Sequence, residues 1–126
     1  AWRIGVRHPR QAGEIVGTIS IGEGAVSTSG DAERFVEDAA GRAGHILDPR
    51  TGAPADALVS ATVVAASATL ADALSTAAVV TGDEGARSVL DRVGARAVLG
   101  RLDDGTLALA VSPGLDFEPY DIPKTE

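Results

Sequence analysis

The sequence predicts an α+β domain in which helices pack on a mainly antiparallel sheet. Three observations predict this class: short β-rich segments near the amino terminus, one almost continuously apolar β-branched run at residues 58–66, and a helical apolar pattern that follows it. With 126 residues, of which 44% are hydrophobic, the chain is long enough to bury one core. Because aromatic residues make up only 3%, we expect a core of Ala, Val, Leu and Ile. We therefore predict a single domain over residues 1–126.

The first quarter of the chain predicts three strands. The segments "WRIGV" (residues 2–6) and "EIVGTISI" (residues 14–21) are rich in β-forming residues, and residues 8–13 connect them. The segment "GAVSTSG" (residues 24–30) predicts a third strand, which the chain enters through two glycines.

The middle of the chain changes from an irregular segment to a strand and then to a helix. Residues 31–44 are polar and mixed, which predicts a loop or a short helix around residues 32–39. The segment "LVSATVVAA" (residues 58–66) predicts a strand that is buried on both faces. The pattern over residues 69–81 predicts a helix.

The last third of the chain predicts a second helix and a hairpin. This helix runs from residue 83 to about residue 93 and ends at Gly94. Residues 95–112 predict a β-hairpin with Asp104-Gly105 as its turn. The acidic tail after Pro113 predicts no regular element.

Composition excludes several classes of function. A formal net charge of −7 argues against nonspecific nucleic-acid binding, which depends on Lys and Arg neutralising phosphates. The absence of cysteine excludes disulfides, thiolate catalysis and cysteine-based zinc sites. No apolar run reaches the roughly 18 residues that span a bilayer. The amino-terminal residues 1–10 lack the features of a signal peptide and read as a strand already under way, so we expect a fragment of a longer chain.

Asp72 and Thr76 are candidates for a metal site. They lie four residues apart, so a helix would place them on one face. A carboxylate and a hydroxyl are hard oxygen ligands that suit Mg²⁺, which takes few protein ligands and adds phosphate oxygens from its substrate. The alternative is a capping box from Thr69 to Asp72, in which Asp72 satisfies an amide at the helix start. The spacing alone favours the cap.

His45 is the candidate general base, in the segment "GHILDPRTGAP" (residues 44–54). An imidazole titrates near neutral pH and can accept a proton there, but a single histidine is more often a structural hydrogen-bonding residue. Asp48-Pro49 with Gly52 predicts a turn directly after it. His8 lies beside a proline in a predicted turn, and we expect it to be exposed.

The glycine-rich segment "GEGAVSTSG" (residues 22–30) invites comparison with phosphate-binding loops. It matches neither the dinucleotide-binding pattern nor the P-loop, which requires a lysine that is missing here. Thr28 and Ser29 can either donate hydrogen bonds to a phosphate or cap the segment that follows. The pattern favours the cap.

Three of these segments, taken in order, resemble the carboxy-terminal half of the ApbE family, the FAD:protein FMN transferases. They are "AVSTSGDAERF" (residues 25–35), "HILDPRTGAP" (residues 45–54) and "SATVVAASATLADALSTAAVVTG" (residues 60–82). They match the family's T-S-G segment, its H-[IV]-[IL]-[DN]-P-x-T-G segment and its A-D-A-x-x-T segment. The resemblance extends from Trp2 to about Leu99. The resemblance does not include the family's amino-terminal half. In addition, Ala32 stands where the family usually has an aromatic residue.

The resemblance implies a T-fold-like ApbE domain and a Mg²⁺-dependent reaction. FMN passes from FAD to a threonine hydroxyl of a target flavoprotein, and AMP is released. The implied roles are Mg²⁺ binding for Asp72 and Thr76, proton acceptance for His45, and contact with the flavin nucleotide for the remaining candidates, which are Ile46, Thr28 and Ser29. Two alternatives stay open: an FAD pyrophosphatase that gives FMN and AMP, and a non-catalytic flavin-binding module.

The resemblance also bears on partners and location. The implied partners are FAD and the target flavoprotein, without nucleic acid. Family members suggest an extracytoplasmic or membrane-anchored protein, tethered by a segment outside this chain. We expect the 126 residues alone to be inactive and to hold FAD weakly, since stacking would depend on four aromatic residues, of which Trp2 is expected to anchor the core.

Overall fold

The computed structural model describes residues 1–32 and 34–121. Within these residues it contains nine strands and one long helix. In chain order they are β1 (Trp2–Arg7), β2 (Ile15–Ile21), β3 (Ala25–Gly30), β4 (Phe35–Asp38), β5 (Gly41–Gly44), β6 (Ser60–Ala65), α1 (Ala68–Val93), β7 (Arg96–Asp103), β8 (Thr106–Val111) and β9 (Phe117–Pro119).

The strands form two antiparallel sheets and a separate hairpin. The larger sheet has the order β3-β6-β7-β8, and the smaller has the order β1-β2-β9. Strands β4 and β5 pair only with each other. Every pairing between strands is antiparallel. The predicted α+β class with a mainly antiparallel sheet is therefore confirmed.

Helix α1 packs on the larger sheet through small and aliphatic side chains. Its buried residues include Ala71, Leu74, Ala78 and Leu90. They join the inward-facing residues of β6 and β7 in one core cluster. Small side chains let the helix lie close to the sheet, so the core reaches dense packing without aromatic residues. A second cluster, of Val6, Val16, Ile19 and Val98, lies beneath the smaller sheet.

The two predicted helices form one element that is interrupted at Gly82. This residue has φ 78° and ψ −177°, outside the helical region, and it separates segments that match the predicted ones. The element ends at Gly94, as predicted, with a left-handed cap whose N–H donates to carbonyls of the last turn. The strand over residues 58–66 and the hairpin over residues 95–112 are also confirmed, the strand as β6 and the hairpin as β7 and β8.

Three predictions about local structure are wrong. The segment 31–44 forms the β4–β5 hairpin rather than a loop or a short helix, because a turn at residues 39 and 40 lets Phe35 pair with Gly44. The tail after Pro113 is not irregular, since Phe117–Pro119 adds to β2 as β9. Trp2 does not anchor the core; it is 73% exposed, because it lies near the end of the edge strand β1.

Within the described residues, no helix is both long enough and apolar enough to cross a membrane. The long helix α1 has polar and charged residues along its exposed side, including Asp72, Thr76 and Arg87.

Candidate functional site

A cavity of about 920 Å³ opens between the β1–β2 loop, β3, the β4–β5 hairpin and the first half of α1. Its wall contains every site residue that the sequence predicts: Thr28, Ser29, His45, Ile46, Asp72 and Thr76. These residues come from three segments that are distant in sequence. The fold therefore brings the predicted site residues to one place, although the role of each remains a prediction.

Asp72 and Thr76 face this cavity from α1, and both are exposed. The helix is capped instead by Ser67, whose Oγ accepts a hydrogen bond from the Leu70 N–H at 3.2 Å. Asp72 lies five residues beyond Ser67, too far along the helix to cap it. The interpretation of Thr69 and Asp72 as a capping box is therefore wrong, and Asp72 is available for another role.

The hydroxyl groups of β3 contact hydroxyl groups of neighbouring elements. Thr28 Oγ1 lies 2.8 Å from Thr62 Oγ1 on β6. Ser29 Oγ lies 2.7 Å from Ser75 Oγ and 3.0 Å from Thr76 Oγ1, both on α1. The sequence pattern favoured Thr28 and Ser29 as caps of the following segment. That interpretation is wrong, because both residues lie inside strand β3.

The chemistry of Asp72 and Thr76 fits a partial Mg²⁺ site. Together they offer one carboxylate and one hydroxyl oxygen, both hard ligands. Among the residues that the structure describes, no group of three or more His, Asp or Glu side chains is placed to bind a metal ion. Mg²⁺ commonly keeps waters and takes phosphate oxygens beside one or two protein ligands, so this small set suits that ion in the presence of a phosphate-bearing substrate.

His45 follows β5 and is exposed at the cavity. Its backbone N–H donates to the Arg34 carbonyl at 3.2 Å, and its Nδ1 lies 3.1 Å from the same oxygen. A carbonyl oxygen only accepts, so Nδ1 must carry the proton in this contact. The neutral ring then has its lone pair on Nε2. This tautomer is the one that a general base acting through Nε2 requires.

The turn after His45 is as predicted and contacts the helix. The Asp48 carbonyl accepts from the N–H groups of Thr51 at 3.2 Å and Gly52 at 2.8 Å. Arg50 donates to the Asp48 carboxylate, and these hydrogen bonds hold the pKa of Asp48 below its usual value. Arg50 also lies 3.4 Å from the Val80 carbonyl, next to the interruption of α1. The segment that carries His45 is thus tied to the helix that carries Asp72.

His8 is a cavity residue that sequence reasoning missed. We expected it to be exposed, but it is 8% exposed and lines the cavity wall. Its Nδ1 accepts from the backbone N–H groups of Arg10 at 3.0 Å and Gln11 at 3.1 Å. Nδ1 is therefore unprotonated and the neutral ring carries its proton on Nε2. Burial, reinforced by Arg10 and opposed by Glu14, lowers the pKa of His8. Pro9 predicts the turn, but nothing in the sequence indicates that the His8 ring accepts from its backbone N–H groups.

Arginines form the side of the cavity opposite the helix. Arg10 donates to both carboxylate oxygens of Asp31, one of them at 2.8 Å, and Arg42 donates to the Asp31 carbonyl at 2.6 Å. The Arg42 guanidinium lies 3.4 Å from the centre of the Phe35 ring. Arg7 and Arg34 line the same wall. Although the chain has a net charge of −7, this wall is cationic and suits an anionic ligand.

Comparison with known sequences identifies one protein family. The ApbE family matches residues 1–99. The chain is 39% identical over 107 residues to the FAD:protein FMN transferase of Rhodobacter capsulatus, an alignment that covers 84% of this chain and 20% of the relative. It is 37% identical over 95 residues to the enzyme of that name from Escherichia coli K12, covering 74% of this chain and 27% of the relative. The chain thus spans between about a fifth and just over a quarter of the length of these relatives.

Solved structures give the same result. The ApbE protein of Thermotoga maritima superposes with a TM-score of 0.72 at 42% identity, over 86% of this chain and 36% of the neighbour. The flavin transferase ApbE of Vibrio cholerae superposes with a TM-score of 0.69 at 30% identity, over 89% of this chain and 36% of the neighbour. These neighbours share both the fold and part of the sequence with the chain described above.

Proposed function

The chain belongs to the ApbE family, and from that membership we propose that it is the carboxy-terminal part of an FAD:protein FMN transferase. The curated relatives carry that name, which supports FAD as the substrate and a protein as the acceptor. The observation that carries the proposal is the cavity, whose wall contains a histidine, a carboxylate and several hydroxyls beside four arginines.

The proposed reaction joins a threonine hydroxyl of the acceptor protein to the FMN phosphorus. The hydroxyl proton passes to His45 Nε2 while the threonine oxygen forms a new bond to that phosphorus. The bond from the phosphorus to the bridging pyrophosphate oxygen breaks, and AMP leaves with this oxygen. The Arg34 carbonyl accepts a hydrogen bond from His45 Nδ1, which leaves the Nε2 lone pair to accept the proton of the threonine hydroxyl.

The remaining residues bind and orient the substrate. Asp72 and Thr76 would hold Mg²⁺, which would neutralise charge on the pyrophosphate when bound. Four arginines line the cavity wall and outnumber the Asp31 carboxylate that pairs with Arg10 and Arg42, which favours an anionic dinucleotide. Thr28 and the backbone near Ile46 line the space between this wall and the helix, where the nucleotide would lie.

The test uses the full-length gene product with FAD, Mg²⁺ and a candidate acceptor flavoprotein. We expect a fluorescent flavin band on the acceptor in a denaturing gel, together with released AMP. An acceptor whose target threonine is replaced by valine is the matched control and should stay dark. Free FMN with AMP and an unlabelled acceptor would indicate the pyrophosphatase instead. Unchanged FAD would indicate a binding module, and either result would overturn the proposal.

A further inference from the structure

A chain of hydroxyl groups connects the backbone of α1 to the cavity. Ser75 Oγ donates to the Asp72 carbonyl at 3.0 Å. Ser29 Oγ lies 2.7 Å from Ser75 Oγ, and Thr76 Oγ1 lies 3.0 Å from Ser29 Oγ. We call these three side chains, Ser75, Ser29 and Thr76, the hydroxyl relay.

The number of protons fixes the direction of this relay. Each hydroxyl has one proton to donate and lone pairs to accept with. The proton of Ser75 is used on a carbonyl, which can only accept. Ser75 must therefore accept from Ser29, and Ser29, having used its own proton, must accept from Thr76. The Thr76 proton then points at Ser29, which leaves a lone pair of Thr76 Oγ1 for the cavity.

Burial keeps the relay in this direction. Ser75 is fully buried, so water does not compete for its hydrogen bond to the Asp72 carbonyl. Ser29 is half-buried and Thr76 is exposed at the cavity wall. The hydroxyl relay is thus anchored at the buried Ser75, and the free lone pair belongs to Thr76 at the cavity. With the opposite direction, the Thr76 proton would face the cavity and repel a cation.

We propose that Ser29 and Ser75 are positioning residues that hold Thr76 Oγ1 as an electron-pair donor toward a divalent cation. This rests on the metal role of Thr76 in the proposed function. Ser29 thereby acts through Thr76 rather than on a phosphate, and Ser75 acts from a position that the ligand does not reach. Groups that orient a metal ligand typically contribute 10–100-fold to metal affinity.

The test measures Mn²⁺ binding to the full-length protein in the presence of AMP, whose phosphate oxygens complete the ligand set of the metal. Mn²⁺ broadens the amide NMR signals of nearby residues, so the half-broadening concentration at Asp72 and Thr76 reports affinity at this site. We expect Ser29→Ala and Ser75→Ala each to raise this concentration about tenfold. Ser29→Thr keeps the hydroxyl on a strand that tolerates β-branched residues, and should bind like the wild type.

Thr62→Val is the matched control, because it removes a buried hydroxyl from the neighbouring Thr28–Thr62 pair without touching the relay. It should leave the half-broadening concentration unchanged. Equal Mn²⁺ binding by the wild type, Ser29→Ala and Ser75→Ala would overturn the proposal, as would an absence of broadening in the wild type. FMN transfer by the wild-type full-length protein is scored separately, so failure of the relay is distinguishable from failure of the proposed function.

Discussion

The two histidines of the chain hold their protons on opposite ring nitrogens. His45 Nδ1 faces the Arg34 carbonyl and must donate, which leaves Nε2 as the acceptor. His8 Nδ1 accepts from the backbone N–H groups of Arg10 and Gln11, which leaves Nε2 as the donor. Two histidines therefore line one cavity with opposite tautomers, one with an acceptor and the other with a donor at Nε2. The two tautomers follow from the backbone groups that face Nδ1: one carbonyl for His45 and two N–H groups for His8.

The proposed role of His45 as a base predicts a loss of transfer rate without a matching loss of FAD affinity. His45→Ala in the full-length protein should slow FMN transfer by about 10²–10⁴-fold, the usual contribution of a general base. FAD affinity should change little, because other groups hold the nucleotide. Single-turnover transfer rates and FAD titrations measure the two quantities. Equal losses in both would make His45 a binding residue.

Burial of His8 predicts a pH-dependent stability. In the unfolded chain histidine titrates near pH 6.5, whereas burial lowers the pKa of His8 in the native state. The unfolded state therefore binds more protons as the pH falls below about 6.5, and the free energy of unfolding should decrease there. Above that pH the stabilisation is fully present.

His8→Asn is the matched variant for this measurement, because its Oδ1 can accept the Arg10 and Gln11 amides without titrating. Urea unfolding at pH 7.5 and 5.5 should show a smaller drop for the variant than for the wild type. His45 is present in both proteins and cancels. Parallel pH profiles would show that His8 does not resist protonation in the native state.

Substitutions at Asp72 and Ser67 distinguish the proposed metal-binding role from the helix-capping role at the start of α1. Asp72→Asn should abolish Mg²⁺-dependent FMN transfer and leave the free energy of unfolding nearly unchanged, because Asp72 caps nothing. Ser67→Ala removes the hydroxyl that accepts from Leu70 N–H, and should cost about 1 kcal/mol with transfer preserved. Urea unfolding and the transfer assay on both variants check this. The metal assignment fails if Asp72→Asn retains normal turnover.

At the scale of elements, the sequence predicts those with a regular apolar pattern. Strand β6 was predicted from its almost continuous run of apolar and β-branched residues. Both segments of α1 were predicted from apolar residues that recur with helix periodicity. The β4–β5 hairpin was missed, since all four residues of Phe35–Asp38 are exposed and show no alternation. Strand β9 was missed for another reason, because three residues are too short for a pattern and its partner β2 lies far away in sequence.

The interruption of α1 predicts a specific intolerance at Gly82. Its φ of 78° with ψ of −177° is a backbone region that essentially only glycine adopts, and an added Cβ would lie 3.2 Å from Ala57 Cβ. Gly82→Ala should therefore lower the free energy of unfolding by about 1–3 kcal/mol.

Gly22→Ala is the matched control for that substitution, because nothing lies within 4 Å of an added Cβ there and its φ is not positive. Its effect should stay within about 0.5 kcal/mol. Urea unfolding of the two variants gives both values. If the two variants are equally stable, the non-helical backbone conformation at residue 82 does not require glycine.

At the scale of the whole molecule, part of the site could be predicted and part could not. Asp72, Thr76 and His45 lie in the segments that resemble the ApbE family, so the sequence named them as candidates, although their local patterns alone favoured structural roles. Ser75 and His8 could not be identified in this way. Their contacts cross between elements or use backbone amides, and a hydroxyl or an imidazole in the sequence gives no indication of which group it will face.

The composition of the cavity wall predicts weak binding of FAD by the 126 residues alone. Of the four aromatic residues, only Phe35 lines the cavity, and Arg42 already covers one face of its ring. Asp72, Thr76 and His45 are all exposed, so a bound dinucleotide would remain largely in water. Calorimetry with FAD and Mg²⁺ should give a Kd above about 1 μM. Tighter binding would show that these residues enclose the ligand by themselves.

The pairing of β9 with β2 has a consequence for how the chain is made. Strand β2 is synthesised well before β9, yet one of its edges is completed only by Phe117–Pro119. The Phe117 ring lies where a Cβ on Gly17 would be. At elongation rates of 5–20 residues per second, the gap between the two strands lasts roughly 5–20 s. During that time an apolar strand has an unpaired edge, the surface through which nascent chains associate. The smaller sheet is thus protected from aggregation only after all the other strands of the described residues have been made.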